Sequence, residues 1–255
     1  MAEDRRSFLK AAGAVALGLA GAGALERITE AQVIREGAKA KGRTRWAMVV
    51  DPRACDGKEG CTICIEACDR AHNIPQIDDR RHAVKWVWKQ AFDEVFPDQE
   101  AALVDPALTA RPVLVLCNHC DNPPCVRVCP TQATFRRDDG IVMMDWHRCI
   151  GCRYCMAACP YGSRSFNWVE PRPYIPHITQ DFPTRTKGVV EKCTFCEERI
   201  STGQLPLCVE ACPAKALTFG NLDDPDSEVR RLLRSRYALR RKPSLGTHPE
   251  VYYLV

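Results

Sequence analysis

The chain has 255 residues and a formal net charge of +4, enough sequence for one or two domains with buried cores. Basic and acidic residues nearly balance, so the charge gives no reason to expect a nucleic-acid partner. The unusual feature is sixteen cysteines.

The N-terminal stretch has the pattern of an export signal. Arg5 and Arg6 precede an uncharged, Ala- and Gly-rich stretch over 11–25, as is typical of the twin-arginine route, which carries folded proteins. The stretch is too short and too weakly apolar for a confident membrane span. We predict a signal over 1–26 and a periplasmic location, with membrane contact only through a partner. The alternative is a basic N-terminus on an ordinary amphipathic helix.

The cysteines fall into four quartets with none left over. In chain order they are Cys55, Cys61, Cys64, Cys68; Cys117, Cys120, Cys125, Cys129; Cys149, Cys152, Cys155, Cys159; and Cys193, Cys196, Cys208, Cys212. Quartet three has the spacing C-x₂-C-x₂-C-x₃-C-P, by which bacterial ferredoxins hold [4Fe–4S] clusters. In that pattern the first three thiolates bind one cluster and the fourth binds its neighbour. We therefore predict four [4Fe–4S] clusters.

Structural zinc and disulfides are the alternative uses of these cysteines. Structural zinc also uses C-x₂-C pairs, but rarely as quartets that end in x₃-Cys-Pro. Disulfides are common in exported proteins, but C-x₂-C pairs are poorly placed for them. The sequence lacks C-x-x-C-H, which excludes covalent c-type haem on this chain.

Short strands are predicted beside the quartets. They cover 46–50, 84–88, 113–116, 216–219 and 251–255. Trp86 and Trp88 share one face of the second strand, which indicates a packed face or, alternatively, a partner-docking surface. A hairpin around the turn at 138–140 connects quartets two and three. These two quartets are therefore one strand–loop–helix unit used twice.

Three local features depart from this repeat. Quartet one has five residues before its second cysteine and Asp69 in place of proline, which predicts a bulged loop around an ordinary cluster. His119 lies between two cysteines of quartet two, and we expect it to hydrogen-bond near sulfur or to lie at the surface. Asp224 and Pro225 predict the start of a basic helix that runs to about Arg240, either solvated or a docking patch.

Proximity in sequence pairs quartets two and three (the adjacent pair) and leaves quartets one and four (the distant pair). Exchange of the fourth cysteines within each pair gives four ligand sets. Cluster 1 takes Cys55, Cys61, Cys64 and Cys212; cluster 2 takes Cys193, Cys196, Cys208 and Cys68; cluster 3 takes Cys117, Cys120, Cys125 and Cys159; cluster 4 takes Cys149, Cys152, Cys155 and Cys129.

The predicted fold class is α+β, with two interlocked bacterial-ferredoxin-like units and loop inserts. The predicted domains are a signal over 1–26, a linker over 27–45, unit A over 46–110 and 188–225, unit B with its connector over 111–187, and a basic helix with a C-terminal strand over 226–255. The sequence contains no convincing nucleophile–base arrangement or nucleotide-binding motif. Quartets composed entirely of cysteine also leave no open iron site, so we expect an electron carrier without catalytic residues.

The chain resembles the four-cluster ferredoxin-type subunits of exported or membrane-bound oxidoreductases, the family of NrfC, PsrB and HybA, and within it the DsrO-type subunits. Residues 116–131, 140–168 and 181–196 carry the resemblance, together with the irregular first quartet and the C-terminal stretch. The resemblance implies an outward-facing subunit of a DsrMKJOP complex in dissimilatory sulfur metabolism. Its partners would be an NrfD-like quinone-handling membrane subunit (DsrP) and a multihaem cytochrome c (DsrJ). The alternatives are a beta subunit of a molybdopterin oxidoreductase and a zinc-stabilised interaction module.

Overall fold

The computed structural model describes residues 44–55, 60–99 and 104–255. The predicted signal, with Arg5 and Arg6, and most of the predicted linker lie outside the described residues. Within the described ranges, no helix is long and apolar enough to cross a membrane.

The described residues form short strands and short helices joined by long loops. The strands are β1 (Trp46–Val50), β2 (Val87–Gln90), β3 (Val113–Leu116), β4 (Thr134–Arg136), β5 (Val142–Met144), β6 (Ser165–Phe166), β7 (Val190–Glu191), β8 (Leu217–Asn221), β9 (Ala238–Leu239) and β10 (Val251–Leu254). The α-helices are α1 (Pro52–Cys55), α2 (Ile63–Ala71), α3 (Phe92–Val95), α4 (Pro106–Thr109), α5 (Pro124–Arg127), α6 (Tyr154–Ala157), α7 (Glu197–Ile200), α8 (Leu207–Glu210) and α9 (Glu228–Ser235).

The largest sheet has the strand order β8-β1-β10-β9. Strand β1 pairs with β8 in antiparallel register and with β10 in parallel register. Residues 47–50 and all of β10 are buried, as expected for apolar runs in the middle of a sheet. This sheet joins the chain before quartet one to the chain after quartet four, which closes the distant pair.

The remaining strands form two-stranded ladders. Strand β4 pairs with β5 in the hairpin predicted between quartets two and three. Strand β6, after quartet three, pairs with β7, just before quartet four. Strand β2 pairs with β3, just before quartet two. Each ladder therefore brings a cysteine loop to a defined position.

The predicted strand over 84–88 is misplaced, because β2 begins at Val87. Trp86 precedes the strand and is 1 % exposed, and its indole Nε1 donates to Glu191. Trp88 is only half-buried. Burial of the indole and its hydrogen bond, rather than strand alternation, fix the position of Trp86, which supports the packed interpretation of this residue.

The predicted basic helix is shorter than expected. It begins after Ser227, whose side chain accepts a hydrogen bond from the Arg230 amide, so Ser227 rather than Asp224 is the N-cap. It ends at Ser235 instead of running to Arg240, where the chain turns into β9. Val229 is fully buried in a cluster with residues of β1 and β10, so the helix covers the sheet with its apolar side.

The architecture confirms the predicted fold class. It is a mixed α/β chain in which small sheets and short helices hold two ferredoxin-like dicluster units. Most of the helices are short because they begin or end beside a cysteine loop or a proline.

Candidate iron–sulfur centres

Two cavities lie within the adjacent pair. One, about 320 Å³ including its opening, is lined by Cys117, Cys120, Cys125 and Cys159 among others. The other, about 270 Å³, is lined by Cys129, Cys149, Cys152 and Cys155 among others. Each cavity therefore receives three cysteines from one quartet and the fourth cysteine of the other quartet.

The distant pair shows the same exchange through its electrostatics. Burial raises the pKa of the Cys64 thiol to about 11, and the nearby thiolates of Cys55, Cys212 and Cys61 contribute to the rise. Burial also raises the pKa of Cys68 well above its usual value, with further contributions from a second group of thiolates. That group is Cys193, Cys208 and Cys196. Cys212 thus faces quartet one, and Cys68 faces quartet four.

The four cysteine groups, numbered as the predicted ligand sets of clusters 1 to 4, follow one another in space. Burial and the thiolates of its own group raise the pKa of Cys208, and the thiolate of Cys64 raises it further. The first group therefore lies beside the second. The thiolate of Cys117 in the same way raises the pKa of Cys193, which places the second beside the third. The third and fourth groups meet at Cys125 and Cys155. The order is one, two, three, four.

A left-handed residue shapes the ligand loops. The residue before the second cysteine has a positive φ in quartets two to four: +41° at His119, +69° at Gly151 and +59° at Phe195. A positive φ turns the backbone sharply, so two cysteines three residues apart can face one cavity. Glycine alone meets this demand without strain, and the two aromatic residues are held there by burial.

Backbone amides point at several cysteine sulfurs. The amide of Thr134 donates to Cys129 Sγ at 3.4 Å, Leu207 to Cys196 Sγ at 3.4 Å and Ala216 to Cys212 Sγ at 3.3 Å. Such bonds stabilise negative charge on sulfur and orient the ligand. They suit thiolates that carry a metal cluster.

Quartet one differs because no proline follows its last cysteine. Helix α2 carries both Cys64 and Cys68 and continues through Asp69 to Ala71. The extra turn places the buried His72 with Nδ1 3.5 Å from Cys68 Sγ and Nε2 3.1 Å from Glu198. Burial opposes protonation of His72, but hydrogen bonds with Cys196 and Glu198 outweigh it and raise its pKa to about 9. This histidine could not be found from the sequence, because nothing local links it to quartet four.

His119 is not at the surface. It is 1 % exposed, its ring stacks on Phe195 with centroids 3.7 Å apart, and its Nδ1 accepts a hydrogen bond from the Val142 amide. Burial lowers its pKa well below the usual value, and the nearby charges of Lys192 and Arg164 act in the same direction. His119 is therefore a neutral packing group between quartets two and four.

The donor set fits iron–sulfur clusters. None of the sixteen cysteines forms a disulfide among the described residues, which argues against the disulfide alternative. Buried thiolates gathered in fours repel one another, so the arrangement requires bound cations to offset their charge. Four thiolates per cavity, three from one quartet and one from the other, are the ligand set by which ferredoxins hold [4Fe–4S] clusters. The site defines a multi-cluster iron–sulfur protein of the ferredoxin type.

Comparison with known proteins identifies the family. The model of the 4Fe-4S dicluster domain matches residues 112–172 and 173–222. The chain is 41 % identical over 98 % of its length to Hdr-like menaquinol oxidoreductase iron-sulfur subunit 1 of Archaeoglobus fulgidus, of which 97 % is covered. It is 38 % identical over its full length to a subunit of tetrathionate reductase of Salmonella typhimurium, of which 89 % is covered. It is 37 % identical over 99 % of its length to NrfC of Escherichia coli, of which 95 % is covered.

The chain belongs to the NrfC/PsrB-like family of 4Fe-4S dicluster proteins. It is an iron–sulfur electron-transfer subunit with four [4Fe–4S] clusters. The predicted cofactors are thereby confirmed, and the zinc alternative is excluded.

Proposed function

We propose that the chain relays electrons between an NrfD-like quinone-handling membrane subunit and the other redox subunits of a DsrMKJOP-type complex in dissimilatory sulfur metabolism. In this proposal the membrane subunit is DsrP, and a multihaem cytochrome c, DsrJ, is among the partners. The sixteen cysteines bind the clusters in the four exchanged ligand sets.

The succession of the four cysteine groups carries this proposal. The first group contains the partly exposed Cys55, Cys61 and Cys212, and the fourth contains Cys152, which is exposed. The second group is buried throughout. A row of one-electron centres with accessible ends and a buried interior is suited to transfer between two partners on opposite ends.

The chain itself contributes binding and insulation. The thiolates hold the clusters, which supply one-electron chemistry when bound. Backbone amides steady the sulfurs, and apolar residues such as Val142 and Phe195 exclude water between neighbouring groups.

The relatives favour a quinone-linked complex. The Archaeoglobus relative is named as a subunit of a menaquinol oxidoreductase, and it matches nearly the whole chain. Export by the twin-arginine route would place the chain on the periplasmic face of the membrane, which is part of the proposal.

A second candidate is the beta subunit of a periplasmic molybdopterin oxidoreductase. The similarity to the tetrathionate reductase subunit favours it. The cluster ligands would be the same, and only the partner at one end would differ.

The test is affinity purification of the chain from solubilised native membranes, with mass spectrometry of the bound proteins. We expect an NrfD-like membrane protein, a multihaem cytochrome c and a DsrK-like subunit. Recovery of a large molybdopterin subunit instead would support the second candidate and overturn the first.

A further inference from the structure

Two buried cations lie beside the third cysteine group without a carboxylate partner. Arg164 is 5 % exposed and Lys192 is fully buried. Neither forms an ion pair within the part of the chain that the structure describes. By contrast, the buried Arg185 pairs with Glu191 at 2.6 Å. Burying a cation without a counter-charge is strongly unfavourable, so each of the two requires a counter-charge.

Arg164 lies between the third and fourth cysteine groups. Its Nη1 donates to Thr134 Oγ1 at 3.1 Å, while its Nη2 is buried without a hydrogen-bond partner among the described residues. It lines the cavity of the third group, and its charge faces Cys125 of that group and Cys155 of the fourth. Burial opposes its positive charge, but the thiolates of Cys125, Cys155 and Cys117 favour it, and the pKa of Arg164 is raised.

Lys192 lies between the second and third groups. Its Nζ donates to the carbonyl oxygens of Val142 and Cys193, which are neutral acceptors. Burial lowers the pKa of Lys192 and the charge of Arg164 acts in the same direction, whereas the thiolates that face it favour its positive charge. Those thiolates are Cys117, Cys193 and Cys125. The anionic groups around both cations are thus cysteine sulfurs.

The internal repeat shows that the fold does not require this arginine. After each Cys-Pro, the third residue beyond the cysteine has a positive φ, at Gln132, Gly162 and Lys215. The fifth residue beyond the cysteine is buried in all three repeats and is Thr134, Arg164 or Leu217. A threonine and a leucine occupy the equivalent positions, so the charge at Arg164 serves something other than the turn.

We propose that Arg164 is a positioning residue that raises the reduction potentials of clusters 3 and 4 and so holds the electron in the adjacent pair, with Lys192 assisting at cluster 3. A cluster with four thiolates is anionic and gains a further negative charge on reduction. A fixed cation in a low-dielectric interior stabilises that reduced form more than the oxidised form. This inference rests on the proposed ligand sets and does not depend on which complex the chain serves.

The test is a redox titration, followed by electron paramagnetic resonance, of the full chain with four clusters loaded. In Arg164→Gln we expect two of the four midpoint potentials to fall. The expected change is at least tenfold in the one-electron equilibrium, which corresponds to about 59 mV. Arg164→Lys keeps the charge and should retain most of the potential. The exposed Arg172→Gln is the matched control and should change none.

Lys192→Gln is the second variant, and it should lower the potential of cluster 3 in a chain with intact Arg164. Unchanged potentials in Arg164→Gln with four clusters bound would overturn the inference and leave Arg164 a structural role. If Arg164→Gln does not retain its clusters, the Lys192→Gln variant provides the test. Equal potentials of cluster 3 in Lys192→Gln and in the wild-type chain would then overturn the inference. The purification of partners is a separate measurement, so its failure would concern the proposed complex alone.

Discussion

The adjacent pair and the distant pair bring their two quartets together by different structural elements. In the adjacent pair, the hairpin β4–β5 directly joins the two quartets, and most residues that line its two cavities come from one stretch of the chain. In the distant pair, β1 must find β8 across most of the chain. The same exchange of fourth cysteines is thus achieved by a short connection in one pair and by a sheet in the other.

The two pairs also differ in charge and in their last helical turn. The adjacent pair has Arg164 between its groups, whereas the equivalent position in the distant pair is Leu217. The distant pair instead has His72, brought in because helix α2 continues where the other quartets have proline. The two dicluster units share a ligand pattern but offer different surroundings for charge.

Double cysteine substitutions distinguish exchanged from unexchanged ligands and should cause the greatest loss. If Cys159 belongs to cluster 3, Cys117→Ser with Cys159→Ser removes one cluster and about a quarter of the iron. Cys149→Ser with Cys159→Ser removes two clusters and about half of the iron. Iron and labile sulfide analysis measures the difference. The reverse ranking would contradict exchange in the adjacent pair.

A proline after quartet one should erase part of the difference between the quartets. Asp69→Pro removes a hydrogen bond of α2 and clashes with its preceding turn, at a cost of about 3 kcal/mol. We expect a lower temperature of cluster loss, seen as bleaching of the visible absorbance. Pro213→Ala, after quartet four, is the control and should change stability by less than about 1 kcal/mol. Equal effects at both sites would show that the continued helix does not matter.

Substitution of two glycines in the adjacent pair distinguishes the cost of backbone strain from the cost of a steric clash. Gly151 and Gly162 both have positive φ, but a Cβ at Gly151 would collide with the carbonyl oxygen of Gly188, whereas a Cβ at Gly162 meets nothing within 4 Å. Gly162→Ala should cost about 1–2 kcal/mol from backbone strain alone. Gly151→Ala should cost more and weaken retention of cluster 4. Thermal bleaching of the two variants measures the order, and equal losses would refute the packing argument.

The smallest expected effect lies where the two pairs meet. The Glu250 amide donates to the Asn118 carbonyl at 2.8 Å, which links the approach to β10 with quartet two. Burial raises the pKa of the Glu250 carboxyl to about 6. Because this pKa is above the ordinary one, the folded state favours the protonated carboxyl. The contribution of protonated Glu250 to folding stability is fully present below about pH 4.5 and is lost as the pH rises through 6.

Glu250→Gln should therefore stabilise the protein by about 1–2 kcal/mol at pH 7.5 and have little effect near pH 4.5. The Tm at several pH values measures this, and a change of a few degrees at pH 7.5 is expected. Exposed Glu94→Gln is the control. A uniform change at all pH values would show that Glu250 acts through packing instead of charge.

The amino-acid sequence was sufficient to identify the cofactors and the family, because cluster binding depends on the spacing of cysteines along short loops. It also determined β1, β3 and the β4–β5 hairpin, whose apolar runs and turn residues are local signals. It misplaced the starts of β2 and α9, because burial of Trp86 and capping by Ser227 override the local pattern.

The charges that surround the cysteine groups could not be read from the sequence and depend on tertiary packing. His72 meets quartet four, and Arg164 and Lys192 lie between groups, through contacts between residues far apart in the chain. Such contacts depend on how the loops pack around each cavity, which no local spacing encodes. Electrostatic interactions in a buried site are strong because the interior screens them weakly. The tertiary structure therefore sets which charged residues lie near the thiolates, whereas the sequence alone identified the thiolates themselves.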